Sequence, residues 1–82
     1  MNCYVHRHAA ARLVEYVGAS QRDLKRARRI IKDVADGARF DEHRDGSLRA
    51  ETTISGKPFM LVVRRDLVSG DGRPVLVTLI RR

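Results

Sequence analysis

Two imidazoles and two guanidiniums open the chain, in the run His6-Arg7-His8-Ala9-Ala10-Ala11-Arg12. His8 and Arg12 stand four residues apart, so on a helix they share a face. An imidazole moves protons near neutral pH, and a guanidinium stabilises the charge that builds on a phosphorane. The pair therefore suits phosphodiester cleavage. The same spacing also describes an ordinary solvated helix start. A metal reading of His6, His8 and His43 needs further ligands, for which Asp41 and Glu42 are the nearest carboxylates. Nothing in the spacing brings these groups together, so neither a metal nor a cofactor is expected.

Arginine supplies most of the remaining chemistry. The 82 residues hold 17 Lys and Arg against 10 Asp and Glu, a formal net charge of +7, and only Lys25, Lys32 and Lys57 are lysines. Guanidinium forks grip phosphate or carboxylate through two parallel N–H bonds, which an ammonium cannot do. Lys25, Arg26, Arg28, Arg29 and Lys32 crowd one side of a helical segment, with Asp23 and Asp33 read as its local acids. The doublets Arg64-Arg65 and Arg81-Arg82 follow two apolar strands and belong at opposite ends of the sheet if those strands pair through their shared loop. The expected phosphate-contacting set is Arg7, Lys25, Arg28, Arg29, Lys32, Arg64, Arg65 and Arg81. The expected partner is RNA or DNA, held by its backbone. A codon-driven excess of Arg and a merely solvated helix face are the plain alternatives. With two Tyr, two Phe and no Trp, base stacking is not the main mode expected.

The elements that must position these groups change period halfway along the chain. From Val5 to Val17, Ala9, Leu13, Val14 and Val17 recur at helical spacing, with Gly18 as the residue after the helix. Ser20 is the expected N-cap of a second helix, and Asp23 completes a capping-box-like pattern. Leu24, Ala27, Ile30, Ile31 and Val34 form its apolar stripe, and Gly37 ends it. From Leu48 to Ile54 the alternation is that of a half-buried strand. Ser55-Gly56-Lys57-Pro58 reads as a hairpin connection, Phe59 to Arg65 as a central strand, Ser69-Gly70-Asp71-Gly72 as a loop, and Val75 to Ile80 as another strand. Ala38 to His43 suggests a short extra strand before the turn Asp45-Gly46. No strand is expected before the first helix. The fold class is α+β over residues 1–82 as one domain, with two N-terminal helices packed on one face of a three- to four-stranded antiparallel sheet. Cys3 is the single cysteine, which excludes an internal disulfide and a Cys-based zinc site. No run of 18 apolar residues and no apolar signal stretch occurs, so no membrane span and a cytoplasmic location are expected.

His8-Ala9-Ala10-Ala11-Arg12 resembles the His-Ala-x-x-Arg opening of small domains allied to the RelE/ParE toxin superfamily, within the wider group of ribonuclease folds that includes barnase, EndoU and colicin D. Gly18 to Leu24 resembles the break before that family's second helix. Gly56 to Val63 and Pro74 to Leu79 resemble its middle and closing strands. The likeness runs from about His8 to Ile80, on short motifs. It implies a metal-independent endoribonuclease, with His8 as acid/base, Arg12 as phosphate anchor and Thr78 as a supporting polar group on the sheet. It also implies an acidic antitoxin-like protein as a further partner. Two rivals stand beside it: a non-catalytic nucleic-acid-binding module, and a small phage-type inhibitor protein that binds a host enzyme.

Overall fold

A computed structural model describes residues 1–17 and 23–82. The elements run β1 (Tyr4–Val5), α1 (Arg7–Val17), α2 (Leu24–Gly37), β2 (Asp41–Glu42), β3 (Ser47–Ile54), β4 (Lys57–Val68) and β5 (Pro74–Arg81). The five strands form one sheet in the order β1-β5-β4-β3-β2. It is mixed: β1 pairs parallel with β5, and the other pairings are antiparallel. The α+β class and the two helices agree with the sequence reading, and the number and sense of the strands do not. Two residues are too few to show a period, so β1 leaves no signature in the sequence. Its pairing partners, Val75 and Leu76, lie at the far end of the chain.

The run of three alanines favours helix from Ala9 onward. His6 caps α1, its imidazole Nδ1 accepting the His8 N–H at 3.0 Å while its carbonyl accepts from Ala9 and Ala10. Ala9, Ala10, Leu13 and Val14 are the buried residues of α1. On α2 the deepest row is Ala27, Ile31 and Ala35, and Leu24, Ile30 and Val34 are half-buried against the same core. The apolar stripe thus includes Ala35, which the sequence reading leaves out. Residues Gly18 and Ser20, expected as cap positions, lie outside the described residues. Asp23 precedes α2 and makes no side-chain capping bond. Gly37 is the last residue of α2, as the pattern indicates.

β3 and β4 turn through Ser55-Gly56 alone, with Ile54 paired to Lys57, so Lys57 and Pro58 belong to the strand. Both turn residues take positive φ, 53° and 76°, the conformation that matches the twist of a two-residue hairpin. β4 is central, as expected. Phe59, Leu61 and Val63 of β4 meet Leu76, Leu79, Ile54 and the helices in one core. Met60 and Val62, on the alternate row, lie outside that cluster. The β4–β5 register shifts at Val62/Val63 and again between Arg64 and Val68, which bends the ribbon. Within the second shift Leu67 is exposed, as is Val68 where pairing resumes.

Candidate nucleic-acid interface

Charge is distributed unequally between the two layers. Among the described residues six ion pairs neutralise cations: Lys32–Asp36 at 3.3 Å, Arg49–Asp45 at 3.0 Å, Arg64–Asp66 at 2.7 Å, Arg65–Glu42 at 2.7 Å, Arg73–Asp71 at 2.7 Å and Arg82–Glu51 at 3.0 Å. Five of the six lie on the sheet and its loops. On α2, Lys25, Arg26 and Arg29 are exposed, and among the described residues none of them has an acid within ion-pair distance. Surface pairs contribute little stability, about 0–1 kcal/mol each. Their effect on the outward field is larger, because each pair cancels a charge that a polyanion would otherwise meet.

The expected phosphate-contacting residues therefore separate. Arg7, Lys25 and Arg29 are exposed without an acidic partner among the described residues. Lys32 pairs with Asp36, an acid one helical turn on that the charge reading of the helix omits, and also donates to Asn2 Oδ1 at 2.9 Å. Arg64 and Arg65 are engaged by Asp66 and Glu42. Arg64 faces Val75 while Arg81 faces Phe59, so the two doublets do sit at opposite ends of the sheet. Arg81 directs its guanidinium to the carbonyls of Pro58 and Arg82, at 3.2 and 2.8 Å. Arg28 donates from Nε to Val5 O at 3.1 Å, and its guanidinium lies 5.0 Å from the Tyr4 ring centroid.

Along α1, His8 is exposed, and its imidazole makes no hydrogen bond among the described residues. Arg12 donates from Nη2 to the Tyr16 hydroxyl at 2.5 Å and lies 5.2 Å over the same ring. Tyr16 packs against Phe59 with centroids 5.5 Å apart, and Arg81 lies 5.6 Å from the Phe59 centroid on β5. Thr78 is not part of this chain of contacts. It pairs opposite Val62, in the row alternate to core residue Leu79, and among the described residues its side chain makes one hydrogen bond, a 3.4 Å contact from Oγ1 to Leu79 O. Arg12 is bonded to Tyr16, and Thr78 makes no hydrogen bond to His8 or Arg12.

The acids that neutralise the sheet are themselves held. Asp45 accepts from the Ser47 hydroxyl and backbone N–H and from Arg49, which brings its carboxyl down to about 2. Asp71 is lowered to about 2 by Arg73 and by the Ser69 hydroxyl. Arg64 lowers Asp66 in the same way, and Asp66 raises Arg64. Tyr4, Tyr16, Arg73 and the capping His6 are contributors that sequence reasoning missed. Only Tyr16 left a usable sign there, since it continues the four-residue spacing of His8 and Arg12. Among the described residues no group of three or more His, Cys, Asp or Glu could hold a metal ion. No helix among them is long and apolar enough to cross a membrane. Comparison of the chain with family models, with curated proteins and with solved structures finds no match.

Proposed function

We propose that the chain is a nucleic-acid-binding domain that takes the phosphate backbone of RNA on the outer face of α2. One observation carries the reading. Lys25, Arg26 and Arg29 are exposed on one helix with no ion-pair partner among the described residues, while five of the ten acids of the chain pair with cations of the sheet and its loops. A rigid helix presenting three cations contacts phosphates without reading bases, so affinity should be salt-dependent and tolerant of sequence.

Fluorescence anisotropy with a labelled single-stranded RNA, repeated over a range of salt, tests the proposal. Replacing Lys25, Arg26 and Arg29 together by Ala should weaken binding at low salt. It should also reduce the slope of log K against log salt by about 2, since each single-strand phosphate that a cation neutralises accounts for roughly 0.7 of that slope. An unchanged slope in the triple variant would refute the assignment.

Cleavage is the second reading, supported by the exposed and unengaged imidazole of His8 one turn ahead of Arg12. Here His8 would shuttle the proton and Arg12 would face the developing charge. Incubation with RNA in EDTA should then yield products from the parent protein and none from His8→Ala.

A further inference from the structure

The groove between α2 and the start of the chain holds a second arrangement of cations. It has a volume of about 340 Å³ and is lined by Tyr4, Arg28, Arg29, Lys32 and Arg73, with Asp33 and Asp36 as its acids. Two guanidiniums from remote elements converge on one ring: Arg28 lies 5.0 Å and Arg73 5.7 Å from the Tyr4 centroid. Both are fixed from behind. Arg28 Nε donates to Val5 O, and Arg73 is set by a turn in which Ser69 N donates to Arg73 O at 2.8 Å and Arg73 N to Ser69 Oγ at 3.1 Å. Asp71 holds Arg73 from the loop side. Of the acids lining the groove, Asp36 is already engaged by Lys32.

Guanidiniums positioned in advance lose little entropy when an anion arrives, and each retains N–H groups for a forked contact. The Tyr4 ring lies near both guanidiniums and supports their charge; Asp71 offsets the charge of Arg73, so the lining guanidiniums with no ion-pair partner among the described residues are Arg28 and Arg29. We infer that this groove is a phosphate-binding site in which Arg28 and Arg73 grip one phosphoryl group and Arg29 reaches it from the rim. The inference rests on the nucleic-acid reading only for the source of that phosphate, which is either a terminal monoester or an internal diester.

The experiment follows the side-chain Nε–Hε signals of the 15N-labelled protein by NMR. The probes are pyrophosphate, a 5′-phosphorylated oligonucleotide and the same oligonucleotide with a 5′-hydroxyl. Saturable movement of the Arg28 and Arg73 signals with pyrophosphate supports the site. A response to the phosphorylated strand alone assigns a terminal monoester, and a response to both strands assigns a diester. Arg29→Gln, an exposed position, should weaken pyrophosphate binding several-fold without altering the fold. Arg28→Lys keeps the charge and removes the fork, and should weaken it further. The proposal fails if the two signals stay still with all three probes, or move without saturating. It also fails if Arg29→Gln and a folded Arg28→Lys bind pyrophosphate as the parent does. Because Lys25 and Arg26 lie outside the groove, loss of polymer binding in Lys25→Ala/Arg26→Ala with intact pyrophosphate shifts separates the two sites. A pyrophosphate response with no salt-dependent polymer binding would sink the nucleic-acid reading and leave the phosphate site standing.

Discussion

The Tyr16 hydroxyl accepts from Arg12 while its ring supports the same guanidinium and packs on Phe59. One side chain thus bonds and stacks with a half-buried cation, whose Nε has no hydrogen-bond partner among the described residues. Replacing Tyr16 by Phe keeps the packing and removes the acceptor, which should destabilise the domain by about 1–2 kcal/mol in urea unfolding. Cys3 makes the opposite case at the same scale. It is 0% exposed, and burial outweighs the nearby Lys32 in raising its thiol above the ordinary 9.0. A thiol-specific reagent should therefore leave Cys3 unlabelled in the folded protein at neutral pH and label it on unfolding. The placement of His8 and Arg12 on one helix was legible from their spacing. Their neighbours were not, because contacts such as Tyr16–Phe59 and Arg28–Tyr4 join residues far apart in the chain.

At the level of elements, long and strongly patterned segments were legible and short ones were not. The α2 stripe, the β3 alternation and the apolar run of β4 each repeat enough times to reveal their period. β1 has two residues and depends on β5 for its existence. Ion pairing divides along the same line. Lys32–Asp36 follows a helical spacing that a full count of the α2 acids would have caught. Arg65–Glu42 and Arg82–Glu51 are set by the order of strands and had no local trace. The hairpin was legible in place, though its turn is shorter than the four-residue connection that the sequence suggests. Its Gly56, at φ 76°, is open to a direct test. Gly56→Ala should destabilise by about 1–2 kcal/mol, the cost of an L residue in the left-handed region. Ser55→Asn should stabilise slightly, since Asn accepts positive φ more readily. Chemical denaturation of both variants measures the pair.

For the whole molecule, acid should act through the carboxylates that brace the sheet. Asp45 and Asp71 titrate near 2 in the folded chain against an ordinary 3.8, so their depressed values favour folding above about pH 4. That contribution disappears as pH falls from about 4 toward 2, when both must take up a proton in either state. Thermal melts across this range should decline for the parent protein and decline less steeply for Asp45→Asn and Asp71→Asn, which start from lower stability. Protonating the same acids frees Arg49 and Arg73, so the positive field of the sheet layer should grow as stability drops.

The parallel pairing of Tyr4 with Val75 and of Val5 with Leu76 also governs how the molecule is made. While the chain emerges from a ribosome, its opening strand has nothing to join until the closing one has left the exit tunnel. The helices and the central ribbon can assemble first, but the rim that β1 completes must form afterwards. Native-state hydrogen exchange should find the Val5 and His6 amides among the first released and the β3–β4 amides among the last.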